Sequence, residues 1–161
     1  MTIQINDDGL SQAYGRDQGG PAAGGEIGGV GEDRVMEIEV DFANLAAFGT
    51  EKRLGTLPTS ALPTGALITE AYLDVDTAFT SGGSATLIVG LVEEDGTVVD
   101  ADGLIASTAL SALNAVGKHV TGSGALVRGT ALAQKSFISA TVGTANYTAG
   151  VARLIVKYRT K

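Results

Sequence analysis

Several stretches of this chain, among them Lys135–Val142 and Val151–Arg159 with Leu154 and Val156 on one face, alternate in hydropathy with a period of two, and that pattern limits its fold more than any other feature. In Val35-Met36-Glu37-Ile38-Glu39-Val40-Asp41-Phe42, the side chains of Met36, Ile38, Val40 and Phe42 share one side and the acids take the other. In Ala66–Phe79, Leu67, Ala71, Leu73 and Val75 lie opposite Glu70, Tyr72, Asp74 and Asp76. An extended backbone puts successive side chains on opposite faces, so each stretch predicts a strand with one wet face and one dry face.

The rest of the chain reads in the same way. Ser81-Gly82-Gly83-Ser84 turns the chain, and Ala85–Val92 runs back with Ala85, Leu87, Val89 and Leu91 inward, which predicts an antiparallel hairpin with Ala66–Phe79. Asp95-Gly96 and Asp102-Gly103 are hairpin-type turns. Asn44–Phe48 reads as a short turn or helix-like excursion, Arg53–Leu57 as a short strand ended by Pro58, and 57–65 as a Pro/Gly loop. Further strands are expected at His119–Thr121, Ala125–Arg128, Lys135–Val142 and Val151–Arg159. Leu104–Val116, rich in Ala and Leu and followed by Gly117, is predicted as one short helix. The expected fold is all-β: an antiparallel β-sandwich or jelly roll over 35–161.

Residues 1–34 differ. Nine glycines stand among them, with few large apolar side chains. Ordering such a backbone is costly in entropy, and little apolar surface offsets the cost. The segment is expected to be a Gly-rich arm, either flexible or extended along a partner. Gly19–Gly31 lacks the Lys-Ser/Thr of a phosphate loop.

Charge is split along the chain. Residues 1–102 hold all eighteen acids and four bases, a net −14, whereas 103–161 hold seven bases and no acid. Blocks so polarised attract. Either the two halves form neighbouring strands with paired outward side chains, or an acidic face meets a basic face on another subunit. A net charge of −7 and few clustered bases argue against nucleic acid as a partner. No window reaches the ~18 apolar residues of a membrane helix. The N-terminus, without a basic start or an apolar run, does not read as a secretory signal.

Chemistry is sparse. Without Cys and with His119 as the one histidine, thiolate and histidine-rich metal sites are excluded within one chain. Glu93-Glu94-Asp95 and Asp100-Ala101-Asp102 lack the spacing of a calcium loop and read as solvated acids beside turns. No Gly-x-Ser-x-Gly elbow is present to recruit His119, which reads as structural. The expectation is a non-enzymatic module with no catalytic, cofactor or metal residues. Only four Phe and four Tyr are available for the core. A thin sandwich with edges to protect predicts a homo-oligomer or a bound lattice.

One stretch carries a resemblance. Leu62-Pro63-Thr64-Gly65-Ala66-Leu67-Ile68-Thr69 leads into a strand ending Thr77-Ala78-Phe79-Thr80-Ser81. A Gly82-Gly83 turn follows, then the return Ala85-Thr86-Leu87-Ile88-Val89-Gly90. This resembles virion structural proteins of tailed bacteriophages, and most of all their capsid decoration (cement) proteins. The ending Thr148–Tyr158 is similar to their closing strand.

The resemblance implies a β-sandwich bound outside the major capsid protein lattice, on a virion assembled in the host cytoplasm. The partners would then be the major capsid protein and further copies of the chain, as dimer or trimer, with no nucleic acid and no membrane. The expected contact residues are Ile3, Ile5, Leu10, Tyr14, Ile27, Val30 and Arg34 on the arm, and Arg153, Lys157 and Arg159 on the basic strand. A tail, neck or baseplate protein, or a receptor- or glycan-binding module, is the alternative.

Overall fold

Alternation becomes architecture where each strand pairs with a neighbour and turns one face to a dry layer. The computed structural model describes residues 33–55 and 61–160 in full, and the strands β1 (Thr2–Ile5) and β2 (Ser11–Tyr14) as backbone. These two pair antiparallel, with Thr2 opposite Tyr14 and Ile5 opposite Ser11. A second compact unit spans Asp33–Thr160. Its strands are β3 (Asp33–Asp41), β4 (Glu51–Arg53), β5 (Ala61–Leu62), β6 (Ala66–Ser81), β7 (Thr86–Val92), β8 (Val98–Ala109), β9 (His119–Thr121), β10 (Ser136–Gly143) and β11 (Tyr147–Thr160).

Among the described residues all pairings are antiparallel. One sheet has the order β3-β11-β6-β9; the other has β4-β10-β7-β8, with β5 also on β10. Between them lies one apolar cluster, to which Ile38, Val40, Leu73, Val75, Leu154 and Val156 contribute from the first sheet. Leu87, Val89, Leu91, Ile138, Ala140 and Val142 contribute from the second. The expected all-β antiparallel sandwich is the fold observed.

Several local expectations are corrected. Leu104–Val116 is not a helix: Leu104–Ala109 completes β8, and only Leu110–Ala112 forms a 3-10 turn. Leu104, Ile105 and Leu113 are buried, but pairing with β7 overrides the weak helical stripe. Ala66–Phe79 and Ala85–Val92 do not form a hairpin. β6 pairs with β11 and β9 while β7 pairs with β10 and β8, so the Gly82-Gly83 turn carries the chain from one sheet to the other. Alternation shows that both strands have a buried face; it does not say which strand lies beside which.

Asp102-Gly103 lies inside β8 rather than at a turn. Five steps along β8, from Asp100 to Ile105, pass two along β7, from Leu91 to Val89. Gly103 at this bulge gives room to the loop above: Leu126 N–H donates to its carbonyl at 2.9 Å. That loop, not a strand, is what Ala125–Arg128 forms. In β6, Ile68 rather than Leu67 is buried, because a register shift against Lys157 and Tyr158 inverts the alternation there. Asp95-Gly96 is a turn as expected, with Gly96 at φ 91° and Asp95 Oδ1 accepting from Thr97 N–H at 2.9 Å.

Candidate interaction surface

β11 carries three of the seven bases of the C-terminal half on its outward face, and it lies between two strands from the acidic half. The result is a ladder of ion pairs across the outer surface of the first sheet. Arg159 grips Asp33 of β3 with two bonds, of 2.5 and 3.2 Å. Lys157 Nζ reaches Glu70 of β6 at 2.6 Å. Arg153 grips Asp76 of β6 at 2.8 and 3.0 Å and lies 3.6 Å from Glu37 of β3. Of the two readings of the charge split, pairing between neighbouring strands is therefore realised within one chain.

The hydrogen bonds from these bases hold the carboxyls of Asp33, Glu70 and Asp76 below their ordinary values. The same bonds push Arg153, Lys157 and Arg159 upward. The members are exposed, or half-buried at Lys157 and Glu70, so the ladder fixes strand order and register more than it stabilises the fold.

Beside the ladder, His119 Nδ1 lies 2.6 Å from Asp74 Oδ1, and its ring is 4.9 Å from that of Tyr72. Lys157 Nζ stands 5.6 Å from the Tyr72 ring centre. Glu70, the partner of Lys157, also lines a hollow of about 200 Å³ with Thr121, Ser123 and Arg128. On the β3 side the charges do not balance. Glu37 shares Arg153 with Asp76, and Glu39 has no ion pair among the described residues. Val35, on the same outward row, is 62% exposed.

The acids of the second sheet lie apart from this face. Glu93, Glu94 and Asp95 rim a hollow of about 340 Å³ with Glu51 and Arg53. Ser139, buried, donates to Glu51 Oε1 at 2.5 Å, and the Arg53 guanidinium lies 4.7 Å from the Phe137 ring centre. Burial raises the Asp100 carboxyl above its ordinary value, and its neighbour Asp102 adds to the effect. Among the described residues, no three Asp, Glu or His side chains converge as a metal site would require.

One apolar area emerges that the sequence reading missed. Phe42 (36% exposed) and Phe48 (56%) flank the loop after β3. A hollow of about 310 Å³ opens there between Phe42, Leu45, Val142 and Tyr147. Tyr147 is buried against the edge of Phe79, and burial pushes its phenol up to about 12. Its hydroxyl has no hydrogen-bond partner among the described residues. Two phenylalanines in an otherwise Ala/Gly-rich loop are the signal that could have revealed this area.

The expected contact residues fall into three groups. Ile3, Ile5 and Tyr14 lie in the β1–β2 hairpin. Leu10, Ile27 and Val30 lie outside the described residues. Arg34 is exposed on β3 opposite Tyr158, and Arg153, Lys157 and Arg159 occupy the ladder.

No protein-family model matches the chain. No curated protein matches it either. Solved structures share the fold. A chain in the capsid of Ralstonia phage GP4 superposes with a TM-score of 0.60 at 22% identity, over 82% of this chain and 86% of that one. One in the acidic stable capsid structure of Helicobacter pylori bacteriophage KHP30 gives 0.54 at 22% identity, covering 79% and 86%. One in the cyanophage Pam1 capsid asymmetric unit gives 0.58 at 17% identity, covering 92% and 99%.

Proposed function

We propose that this chain is a non-enzymatic phage capsid component that binds the outside of the major capsid protein lattice and stabilises the head. The observation that carries the reading is the sandwich itself, shared over most of its length with chains of three phage capsids. The surface chemistry agrees with it. The charged side chains of the first sheet are arranged as a register-setting ladder, and the exposed Phe42 and Phe48 suit contact with another protein. In this reading residues 1–34 are an arm that orders against the shell or a neighbouring copy, and 35–161 are the sandwich that it anchors. The chain self-associates as a dimer or trimer over the lattice.

Quantitative mass spectrometry of purified virions tests the reading. A decoration role predicts a copy number within an order of magnitude of the major capsid protein. A handful of copies per particle would move the chain to the neck, tail or baseplate, and absence from the virion would overturn the proposal.

A further inference from the structure

β3 pairs with β11 along one side, and no strand pairs with its other side among the described residues. The other outer strands are poorer templates. β4 and β9 are three residues long, and β8 is bulged, with the loop at 124–126 bonded to Gly103 and Leu104. β3 is nine residues long, contains no proline, and keeps unbroken register with β11 from Asp33 to Asp41. A long, regular edge of this kind offers a row of backbone donors and acceptors to another chain.

We propose that the open edge of β3 is a strand-addition site for an extended segment of a different chain, one with basic and apolar residues in alternation. The inward row, Met36 and Ile38, would continue the apolar layer onto that segment's apolar residues. The outward row, Val35, Glu37 and Glu39, would face its bases, and opposite charges on directly opposed strand positions attract.

Charge also selects against a nearer occupant. A second copy of β3 would bring Glu37 and Glu39 against Glu37 and Glu39. That pairing is repulsive, so the acids guard the edge from self-pairing while leaving it open to a basic strand. The inference rests on the geometry and charge of β3, not on the capsid reading, and its test needs no particle.

The full chain is titrated at low salt with a labelled Lys-Val-Lys-Val-Lys-Val-Lys peptide. Its Glu-Val counterpart and a scrambled peptide with the lysines in one block serve as controls. Anisotropy reads binding, and amide hydrogen exchange reads its location. The expected result is binding of the alternating basic peptide alone, with slowed exchange across 33–41. In the E37Q/E39Q variant, which adds no repulsion toward Arg153, affinity falls about five- to tenfold. Equal binding of the scrambled peptide, unchanged exchange in β3, or undiminished affinity of a variant with a wild-type melting temperature would overturn the proposal.

Discussion

Tyr147 keeps a hydroxyl away from water without a hydrogen-bond partner among the described residues, while its ring packs at 5.0 Å centroid distance on Phe79. An unsatisfied buried hydroxyl costs free energy that its removal recovers, so Tyr147→Phe should leave stability within about 1 kcal/mol of wild type, on the stabilising side. Thermal denaturation checks the sign. Gly90 shows the opposite sensitivity. A Cβ there would stand 2.1 Å from the carbonyl oxygen of Asp100 and 2.3 Å from that of Ala101, both on the facing strand. Nothing flexible can yield, because both obstacles are backbone. Gly90→Ala should therefore cost about 1–3 kcal/mol or more by overpacking, read as a lower urea midpoint.

At the level of elements, β3, β6, β7 and β11 were legible because each has one buried face, which stamps period two on the sequence. Ile38 and Val40 in β3, and Leu154 and Val156 in β11, are core residues as their spacing implied. Pairing was less legible. Ala85–Val92 reads as the return strand of a hairpin, yet it crosses to the other sheet, since a sandwich offers a strand leaving a short turn two possible layers. The ion-pair ladder was visible as a charge split; the order β3-β11-β6 that turns it into specific pairs was not. Phe42 was read as the last dry-side residue of the first strand, but a 3-10 turn begins there and leaves it 36% exposed, while Phe48 carries no periodicity and escaped notice.

The N-terminal segment gives the prediction proper to this scale. Residues 35–161 should fold after deletion of 1–34, since among the described residues the clustered core begins at Met36. Particle binding by that truncated protein should fall sharply, as co-sedimentation with shells would show. Undiminished binding would remove the arm from the account.

The whole molecule answers to pH through its ladder. Asp33 and Asp76, below an ordinary 3.8, and Glu70, below 4.5, are depressed by hydrogen bonds from Arg159, Arg153 and Lys157. The unfolded chain takes up protons first as pH falls, so this stabilisation is present at neutral pH, starts to fade near 4.5, and is lost on passing through the lower folded values. Asp100 is raised, so its contribution runs the other way: it is full below 3.8 and gone once pH rises past its folded value, which offsets part of the loss in acid. The melting temperature should drop between about pH 5 and pH 3, and less steeply in about 1 M salt, where exposed pairs are screened. A melting temperature independent of both would detach the ladder from stability.

The central claim is that this chain works by holding a shell together. A cryo-EM map of the particle tests it most directly. The account predicts two-sheet density on the outer surface of the capsid, repeated over the lattice and touching several capsid subunits. Density confined to the tail or neck, or a capsid exterior without it, would contradict the claim.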